Sequence, residues 1–239
     1  MPGYLTKQES IAVAGVPNLI IRSLLDRQQF FDPAGEGARL GISSATWPLF
    51  GLLWPSGAEL AARMARHPVR SGERVLEIGC GLALASLVGH RRGADVTASD
   101  CHPLAGIFLK ENLRLNDLSD MRYRTGQWGQ PEDDALAVPT SSLALKVSGQ
   151  FDLIMGSDVL YERDDAGVLA AFIDAHAMPV SQIWIVDPHR GNRPAFSRRM
   201  ASHGFSLVEE RLDRLESAQQ TAYRGRLLTY SRGACVVGT

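Results

Sequence analysis

Three acidic side chains stand in the sequence where chemistry at the edge of a sheet needs them. Glu77 lies in the run VLEIGCGLAL, which breaks at Gly79 and Gly81 and then resumes in a helix-like pattern. Asp100 closes the next apolar run, VTASD, 21 residues after Gly79, and Asp158 follows a later one, FDLIMGS. Because parallel strands end at one edge of a sheet, where α/β proteins bind their ligands, we expect the three acids to lie together.

The glycine bend and the acid that follows it predict a nucleotide site. A strand that ends in glycines and leads into a helix presents backbone N–H groups and a positive helix end, with no Cβ to keep a ligand away. An acid about 20 residues further on, at the end of the next strand, accepts both hydroxyls of a ribose. The alternative is a tight turn beside a carboxylate that makes only local hydrogen bonds.

Departures from the dinucleotide pattern indicate which nucleotide binds. The third glycine of GxGxxG would fall at Leu84, and Glu77 sits two residues before the first glycine. A dinucleotide has no obvious use for an acid inside that strand, whereas a ligand with an amino-acid tail and a sulfonium does. These features favour S-adenosylmethionine as the ligand. The alternative from another class of enzyme is an NAD-dependent oxidoreductase, against which they argue.

The segment after the fourth strand has residues suited to handling an amine. Methyl transfer is a direct displacement that needs alignment and a free lone pair on the acceptor. We expect Asp158 to orient the acceptor nitrogen and help its proton leave, while Tyr161 walls the pocket. The alternative reading makes Asp158 a helix cap and Tyr161 a core residue. The loop DPHRGN adds Asp187, His189 and Arg190 as rim candidates, with solvated surface as the alternative.

Alternating apolar and amphipathic segments supply the elements that position these residues. The predicted strands cover 74–79, 95–100, 121–128, 151–157 and 182–188. The predicted helices lie between them, near 82–92, 103–115, 164–177 and 193–202. Two further runs, at 204–213 and 225–232, have no helix between them and predict an antiparallel pair. The fold class is therefore α/β, with a mostly parallel sheet.

The N-terminal part is expected to be an arm rather than a second domain. The helical spacing of 19–31 predicts a helix, and 54–67 predicts another with Ser56 as its N-cap. Residues 1–50 would pack on the sheet within a single domain, 1–239. Residues 130–150 predict a surface excursion. Four aromatic residues of the arm are expected either to belong to the core or to cap the methyl donor and contact the substrate: Phe30, Phe31, Trp47 and Phe50.

Composition narrows the function classes further. The 239 residues include 25 basic and 26 acidic side chains, a balance that indicates neither nucleic acid nor a membrane surface as partner. The apolar run at 11–25 is interrupted and too short to span a membrane, and it lacks the features of a secretory signal, so a cytoplasmic location is expected. Three cysteines without metal-ligand spacing predict free thiols and metal-independent chemistry.

The sequence resembles the class I, seven-strand methyltransferases over roughly residues 45–232. Within them it is similar to the family-16 lysine methyltransferase group, which includes the enzyme acting on the β subunit of electron-transfer flavoprotein. The motifs that carry this likeness are LLWPSGAELAARM at 52–64, VLEIGCGLAL, Asp100, QWG at 127–129 and SDVLYE at 157–162. The resemblance implies a seven-stranded Rossmann-like sheet with an antiparallel C-terminal strand and helices on both faces.

Carried over residue by residue, the resemblance implies a site. We assign seven residues to the S-adenosylmethionine site: Trp54, Glu77, Gly79, Gly81, Asp100, Trp128 and Ser157. Asp158 and Tyr161 fall at the reaction centre. Gln127 departs from the acid usual before the tryptophan, a departure that concerns the adenine contact. The arm before Trp47 has no motif that aligns, so substrate choice stays open.

These observations predict an S-adenosylmethionine-dependent N-methyltransferase that modifies a protein lysine. A small-molecule amine or pyridine nitrogen is the alternative acceptor, since only pocket shape separates the two. An inactive cofactor-binding partner protein is a third possibility, although such a protein would be expected to lose Asp158 or Tyr161. The Asn-Pro-Pro-aromatic signature of amide and nucleobase methyltransferases is absent, which argues against those acceptors. The oligomeric state is not predicted.

Overall fold

The structure is a computed structural model that describes residues 3–128, 145–161, 163–216 and 222–233. In these residues it forms a two-stranded hairpin, β1 (Thr6–Val13) and β2 (Val16–Leu24), and a seven-stranded sheet. The strands of the sheet are β3 (Arg74–Ile78), β4 (Asp95–Asp100), β5 (Arg122–Thr125), β6 (Phe151–Ser157), β7 (Ala177–Asp187), β8 (Ser206–Arg211) and β9 (Arg226–Arg232). The α-helices are α1 (Glu36–Arg39), α2 (Pro55–Arg66), α3 (Leu84–Arg91), α4 (Ala105–Leu115), α5 (Val168–His176) and α6 (Arg193–Ser202), and a 3-10 helix covers Trp47–Gly51.

The order of the sheet strands is β5-β4-β3-β6-β7-β9-β8. The pairs among β3, β4, β5, β6 and β7 are parallel, and β9 is antiparallel to both of its neighbours. The predicted mostly parallel sheet with an antiparallel end is therefore confirmed. The chain winds one way from β3 through β4 and the other way from β6 through β7, so the switch point, where such sheets bind ligands, lies beside β3.

Helices cover both faces of the sheet and close two apolar cores. One core joins the sheet to α2, α3, α4 and the hairpin, with Leu60, Leu87 and Phe108 completely buried. The other joins it to α5 and α6 through residues such as Ile173 and Met200. The helix predicted over 164–177 is shorter in the structure. Helix α5 begins at Val168 and ends at His176, and strand β7 begins at the next residue, Ala177.

The helix predicted over 19–31 is wrong, because its first half is strand β2. Leu19 and Ile21 are completely buried whereas Ile20 is exposed, which is the two-residue period of a strand with one covered face. The apolar residues of LIIRSLL also satisfy a helical period over so short a run. Gly15, with a φ of 91°, makes the two-residue turn that pairs Val13 with Val16.

Asn112 in α4 and Asn116, which follows the last residue of α4, bond the edge of β2 that faces away from β1. The amide of Asn112 accepts from the N–H of Arg22 at 2.8 Å and donates to its carbonyl, and Asn116 bonds Ile20 in the same way. These side chains lie one helical turn apart and replace a neighbouring strand along β2. The hairpin therefore packs on the helices that cover the sheet.

The predicted N-cap of the second helix is also wrong. Helix α2 begins at Pro55 after Trp54, and Pro is favoured at that position because its missing N–H needs no partner there. Ser56 points inward instead, where its hydroxyl lies 2.9 Å from the Tyr223 hydroxyl. The side chain thus joins α2 to the segment before β9.

Most of the predicted excursion at 130–150 and the thiol of Cys235 lie outside the described residues. Cys80 is a buried free thiol, and Cys101 is half-buried. Among the helices of the described ranges, none combines the length and apolar character that crossing a membrane requires.

Candidate functional site

The glycine bend after β3 is built from left-handed backbone. Gly79 and Gly81 have φ values of 56° and 51°, which side chains disfavour. A Cβ on Gly81 would come within 2.8 Å of the Phe50 carbonyl oxygen, and one on Gly79 would meet the side chain of Val159 at 2.9 Å. Glycine is therefore required at both positions by the backbone conformation and by the packing of the protein itself. The contact of this bend with a ligand stays a prediction.

Asp100 ties the second strand to this bend. Its carboxylate accepts from the N–H of Gly81 at 2.8 Å and from the N–H of His102 at 2.8 Å. Burial raises the pKa of Asp100, and these backbone hydrogen bonds oppose the rise. The carboxylate is thus held in place at the carboxyl end of β4, beside the glycines.

Glu77 caps the helix that follows the bend. One carboxylate oxygen accepts both the N–H and the hydroxyl of Ser86, which lies in the first turn of α3. The first N–H groups of a helix have no partner within it and carry partial positive charge, so an acid there is favourable. Burial is nevertheless the larger effect and raises the pKa of Glu77 to about 7.

Asp158 lies after β6 with a left-handed backbone, at a φ of 55°, and its N–H donates to the Val186 carbonyl at 2.8 Å. Its carboxylate receives two hydrogen bonds from the guanidinium of Arg190, at 2.8 and 3.0 Å. Asp187 is completely buried and accepts the N–H of Arg190. Of the three predicted rim candidates, Arg190 lines the site, whereas His189 is exposed and outside it.

A cleft of about 890 Å³ joins these features at the carboxyl edge of the sheet. All nine residues predicted for the site line it: Trp54, Glu77, Gly79, Gly81, Asp100, Trp128, Ser157, Asp158 and Tyr161. Tyr161 is 49% exposed and is not the core residue of the alternative reading. The structure therefore brings together residues that are as far as 107 positions apart in the chain, from Trp54 to Tyr161.

The cleft also contains a residue that the sequence reasoning missed. His102 is buried, stacks on Phe50 with ring centroids 3.7 Å apart, and has its edge against Trp47. Burial lowers its pKa to about 3, so the ring is neutral, and its Nδ1 accepts from the N–H of Leu104. Its place two residues after Asp100 was the available signal.

Two of the four aromatics of the arm fit the predicted alternatives of core or cleft, and the other two fit neither. Trp47 and Phe50 are buried, and Phe50 also lines the cleft. Phe30 and Phe31 are exposed and do not line it. Trp54 lines the cleft, and its indole N–H donates a hydrogen bond to the Leu49 carbonyl at 2.9 Å. Among the residues that the structure describes, no group of His, Cys, Asp and Glu side chains is arranged to hold a metal ion.

Solved structures that superpose on this chain include methyltransferases. A methyltransferase from Pyrococcus furiosus superposes with a TM-score of 0.53 at 18% identity, over 72% of this chain and 81% of that one. The magnesium protoporphyrin IX methyltransferase of Synechocystis, solved with bound S-adenosylmethionine, gives a TM-score of 0.53 at 16% identity, over 74% and 78%. Likeness at this level of identity establishes the fold.

Sequence comparisons are more specific. The mouse electron transfer flavoprotein beta subunit lysine methyltransferase is 26% identical over 215 residues, which cover 87% of this chain and 75% of that protein. The rat histone-arginine methyltransferase METTL23 is 30% identical over 146 residues, or 57% of this chain and 60% of that protein. The model of a family described as lysine methyltransferase matches residues 51–194, more than half of the chain. These matches favour neither a small-molecule acceptor nor an oxidoreductase. The chain belongs to the lysine methyltransferase family, whose chemistry depends on S-adenosylmethionine.

Proposed function

We propose that this enzyme binds S-adenosylmethionine in the cleft beside the glycine bend and transfers its methyl group to the ε-amine of a protein lysine held at Asp158. One observation carries the proposal: the carboxylate of Asp158, in the same cleft as the bend, already holds a cationic side chain in two hydrogen bonds. A carboxylate that accepts the guanidinium of Arg190 can also accept an ammonium ion.

The residues of the cleft fit this cofactor. It carries an ammonium, a sulfonium, a carboxylate and a ribose, and the cleft offers the buried acids Glu77 and Asp100 beside the glycine bend. Glu77, with its pKa near 7, can become charged when a cation approaches. Asp100 is the candidate for the ribose hydroxyls. Trp54 and Trp128 supply the apolar sides on which an adenine can lie.

When bound, the cofactor would supply an electrophilic methyl group, with S-adenosylhomocysteine as the leaving group. The lysine nitrogen has to lose a proton first, so that its lone pair can form the N–C bond as the C–S bond breaks. Asp158 would orient the incoming ammonium, and water at the open side of the cleft would take the proton. The ring of Tyr161, half exposed at the mouth, would face the positive charge of the methylated product.

The relatives suggest a protein acceptor. Because the mouse and rat enzymes are named for the beta subunit of electron transfer flavoprotein, we propose a lysine of the corresponding subunit as the first substrate to test. The open mouth of the cleft, with Tyr161 exposed, is consistent with an acceptor delivered on a protein surface.

The experiment incubates the enzyme with radiolabelled S-adenosylmethionine and purified electron transfer flavoprotein, followed by mass spectrometry of the labelled subunit. Asp158→Asn should reduce transfer at least ~100-fold, as expected for loss of the group that orients the acceptor nitrogen while its proton leaves to water. Its affinity for S-adenosylhomocysteine should stay near that of the wild type. Asp213→Asn, which removes an exposed ion pair with Arg211, is the matched control and should leave both unchanged.

Label on an arginine of the flavoprotein instead of a lysine would contradict the proposed acceptor. If a cell lysate is used in place of the purified flavoprotein, label only in its small-molecule fraction would contradict it as well. Equal loss of cofactor affinity and transfer in Asp158→Asn would contradict the role given to Asp158.

A further inference from the structure

The guanidinium of Arg190 binds the carboxylate of Asp158, which in the proposed function binds the amine of the substrate. Its two guanidinium nitrogens each donate to a different oxygen of Asp158, so both oxygens have a partner in the protein. The Asp158 side chain is only 12% exposed, whereas that of Arg190 is 42% exposed. The partner that can leave toward solvent is therefore the arginine, and the carboxylate stays behind in the cleft.

The ion pair is not needed to join the two loops that carry its members. The N–H of Asp158 already donates to the Val186 carbonyl, and the side chain of Asn192 donates to the Leu160 carbonyl at 2.8 Å. The backbone of Arg190 is separately fixed by its N–H to the carboxylate of Asp187. Because two hydrogen bonds besides the ion pair join the loops, and a third fixes the backbone of Arg190, the guanidinium can swing away without opening the cleft wall.

An incoming lysine has to compete with this guanidinium. An ammonium that binds Asp158 needs at least one of its oxygens, and a bidentate pair has to be broken to provide it. A free small amine brings little besides its charge to that competition. A protein substrate brings further contacts outside the cleft, and their binding energy can be used to displace the arginine.

We propose that Arg190 is an internal competitor for the acceptor site, which keeps free amines off Asp158 and admits a lysine presented on a protein. The inference rests on the proposed function, because it assumes that the acceptor nitrogen binds Asp158. It makes Arg190 a specificity-determining residue, which acts on the acceptor through Asp158 and leaves cofactor binding alone.

The test compares Arg190→Gln and Arg190→Lys with the wild type, using n-butylammonium chloride as a mimic of the lysine side chain. Arg211→Gln is the matched control, because Arg211 is exposed, pairs with Asp213 and lies outside the cleft. Each protein, saturated with S-adenosylhomocysteine, is titrated by NMR with ¹⁵N-labelled protein, and the amide of Gly191 reports binding at the site. Thermal unfolding verifies that each variant is folded.

Arg190→Gln should bind n-butylammonium about threefold more tightly or better, as expected for loss of a partly exposed ion pair that competes. Arg190→Lys should fall between it and the wild type, because an ammonium forms a single-point contact in place of the fork. With butylamine as acceptor, KM should fall by the same factor while kcat stays within about twofold. Equal or weaker binding in Arg190→Gln than in Arg211→Gln would overturn the inference.

Adding Asp158→Asn to Arg190→Gln separates this inference from the proposed function. If the tighter binding disappears in the double variant, the ammonium binds Asp158 and both proposals are supported. If butylammonium binds Arg190→Gln regardless of Asp158, the acceptor site itself is misplaced and both are overturned. If binding depends on Asp158 but is the same with and without Arg190, only the competition is overturned.

Discussion

Replacement of the buried acid of β3 by its neutral isostere, Glu77→Gln, tests the electrostatics of the bend. Glu77 is 3% exposed, and both hydrogen bonds from Ser86 go to one of its oxygens. Burial raises its pKa above the ordinary value of 4.5, which means that the folded state binds this proton more tightly than the unfolded state does. The stability contributed by the protonated carboxyl is complete below 4.5 and is lost as the pH rises through about 7.

The magnitude follows from the size of that rise. The pKa increases from 4.5 to about 7, and since each pKa unit corresponds to ~1.4 kcal/mol, the ionised carboxylate costs the folded protein about 3 kcal/mol. Between about pH 5 and about pH 8 the free energy of unfolding of the wild type should therefore fall by about 2 to 3 kcal/mol on account of this group. Glu77→Gln cannot ionise and should lack that part of the pH dependence.

The assay is urea unfolding of the ligand-free protein at the two pH values. The new amide N–H affects the variant equally at both, so it cancels when the pH-dependent differences are subtracted. Glu210→Gln, an exposed acid on β8, is the matched control and should keep the wild-type pH dependence. The same pH dependence in Glu77→Gln and the wild type would contradict the prediction, because it would mean that folding leaves the pKa of Glu77 unchanged.

Three further predictions concern other parts of the structure. Asp100→Asn should weaken S-adenosylhomocysteine binding about tenfold or more by calorimetry, because a neutral amide replaces a charged acceptor; unchanged affinity would remove Asp100 from the ribose site. Gly81→Ala should lower the free energy of unfolding by at least ~1 kcal/mol more than Gly72→Ala, where φ is also positive but no atom lies within 4 Å of the added Cβ; equal losses would show that the bend is not crowded. Asn112→Ala should destabilise the protein by about 2 kcal/mol and speed hydrogen exchange at the amide of Arg22, whereas unchanged exchange there would contradict its role as a strand partner.

The parts of the fold that were predicted correctly depend on contiguous sequence. The run from Glu77 to Asp100 contains strand, bend, helix, strand and acid in order, and the same order appears in the structure. Each step is dictated by neighbours in the chain, such as the glycines that allow a positive φ. The placement of nine predicted residues around one cleft then follows from the parallel sheet, which brings the ends of its strands to one edge.

The hairpin was mispredicted because distant residues decide its conformation. The apolar residues of β2 fit either period, and the choice is made by β1 and by Asn112 and Asn116, which are about 90 positions away in the chain. Ser56 was misassigned for a similar reason, since its partner Tyr223 lies 167 positions away. Local propensity cannot report contacts of this range.

The details of the site also depended on tertiary contacts. The sequence placed Arg190 at the rim, but only the structure pairs it with Asp158, because a loop after β7 lies beside a loop after β6. Glu77 was predicted to face the tail of the ligand, and the structure adds a second role as the cap of α3 through Ser86. The position of His102 after Asp100 is visible in the sequence, but its neutral state follows from its burial beside Phe50, which is not.

The most direct test is a crystal structure of the enzyme with S-adenosylhomocysteine, soaked together with n-butylammonium. The adenosyl group of the product should lie between the bend at Gly79 and the carboxylate of Asp100, with the amine near Asp158. Electron density for the product at another place on the protein, or a cleft closed around Gly79 by the protein's own side chains, would contradict this placement.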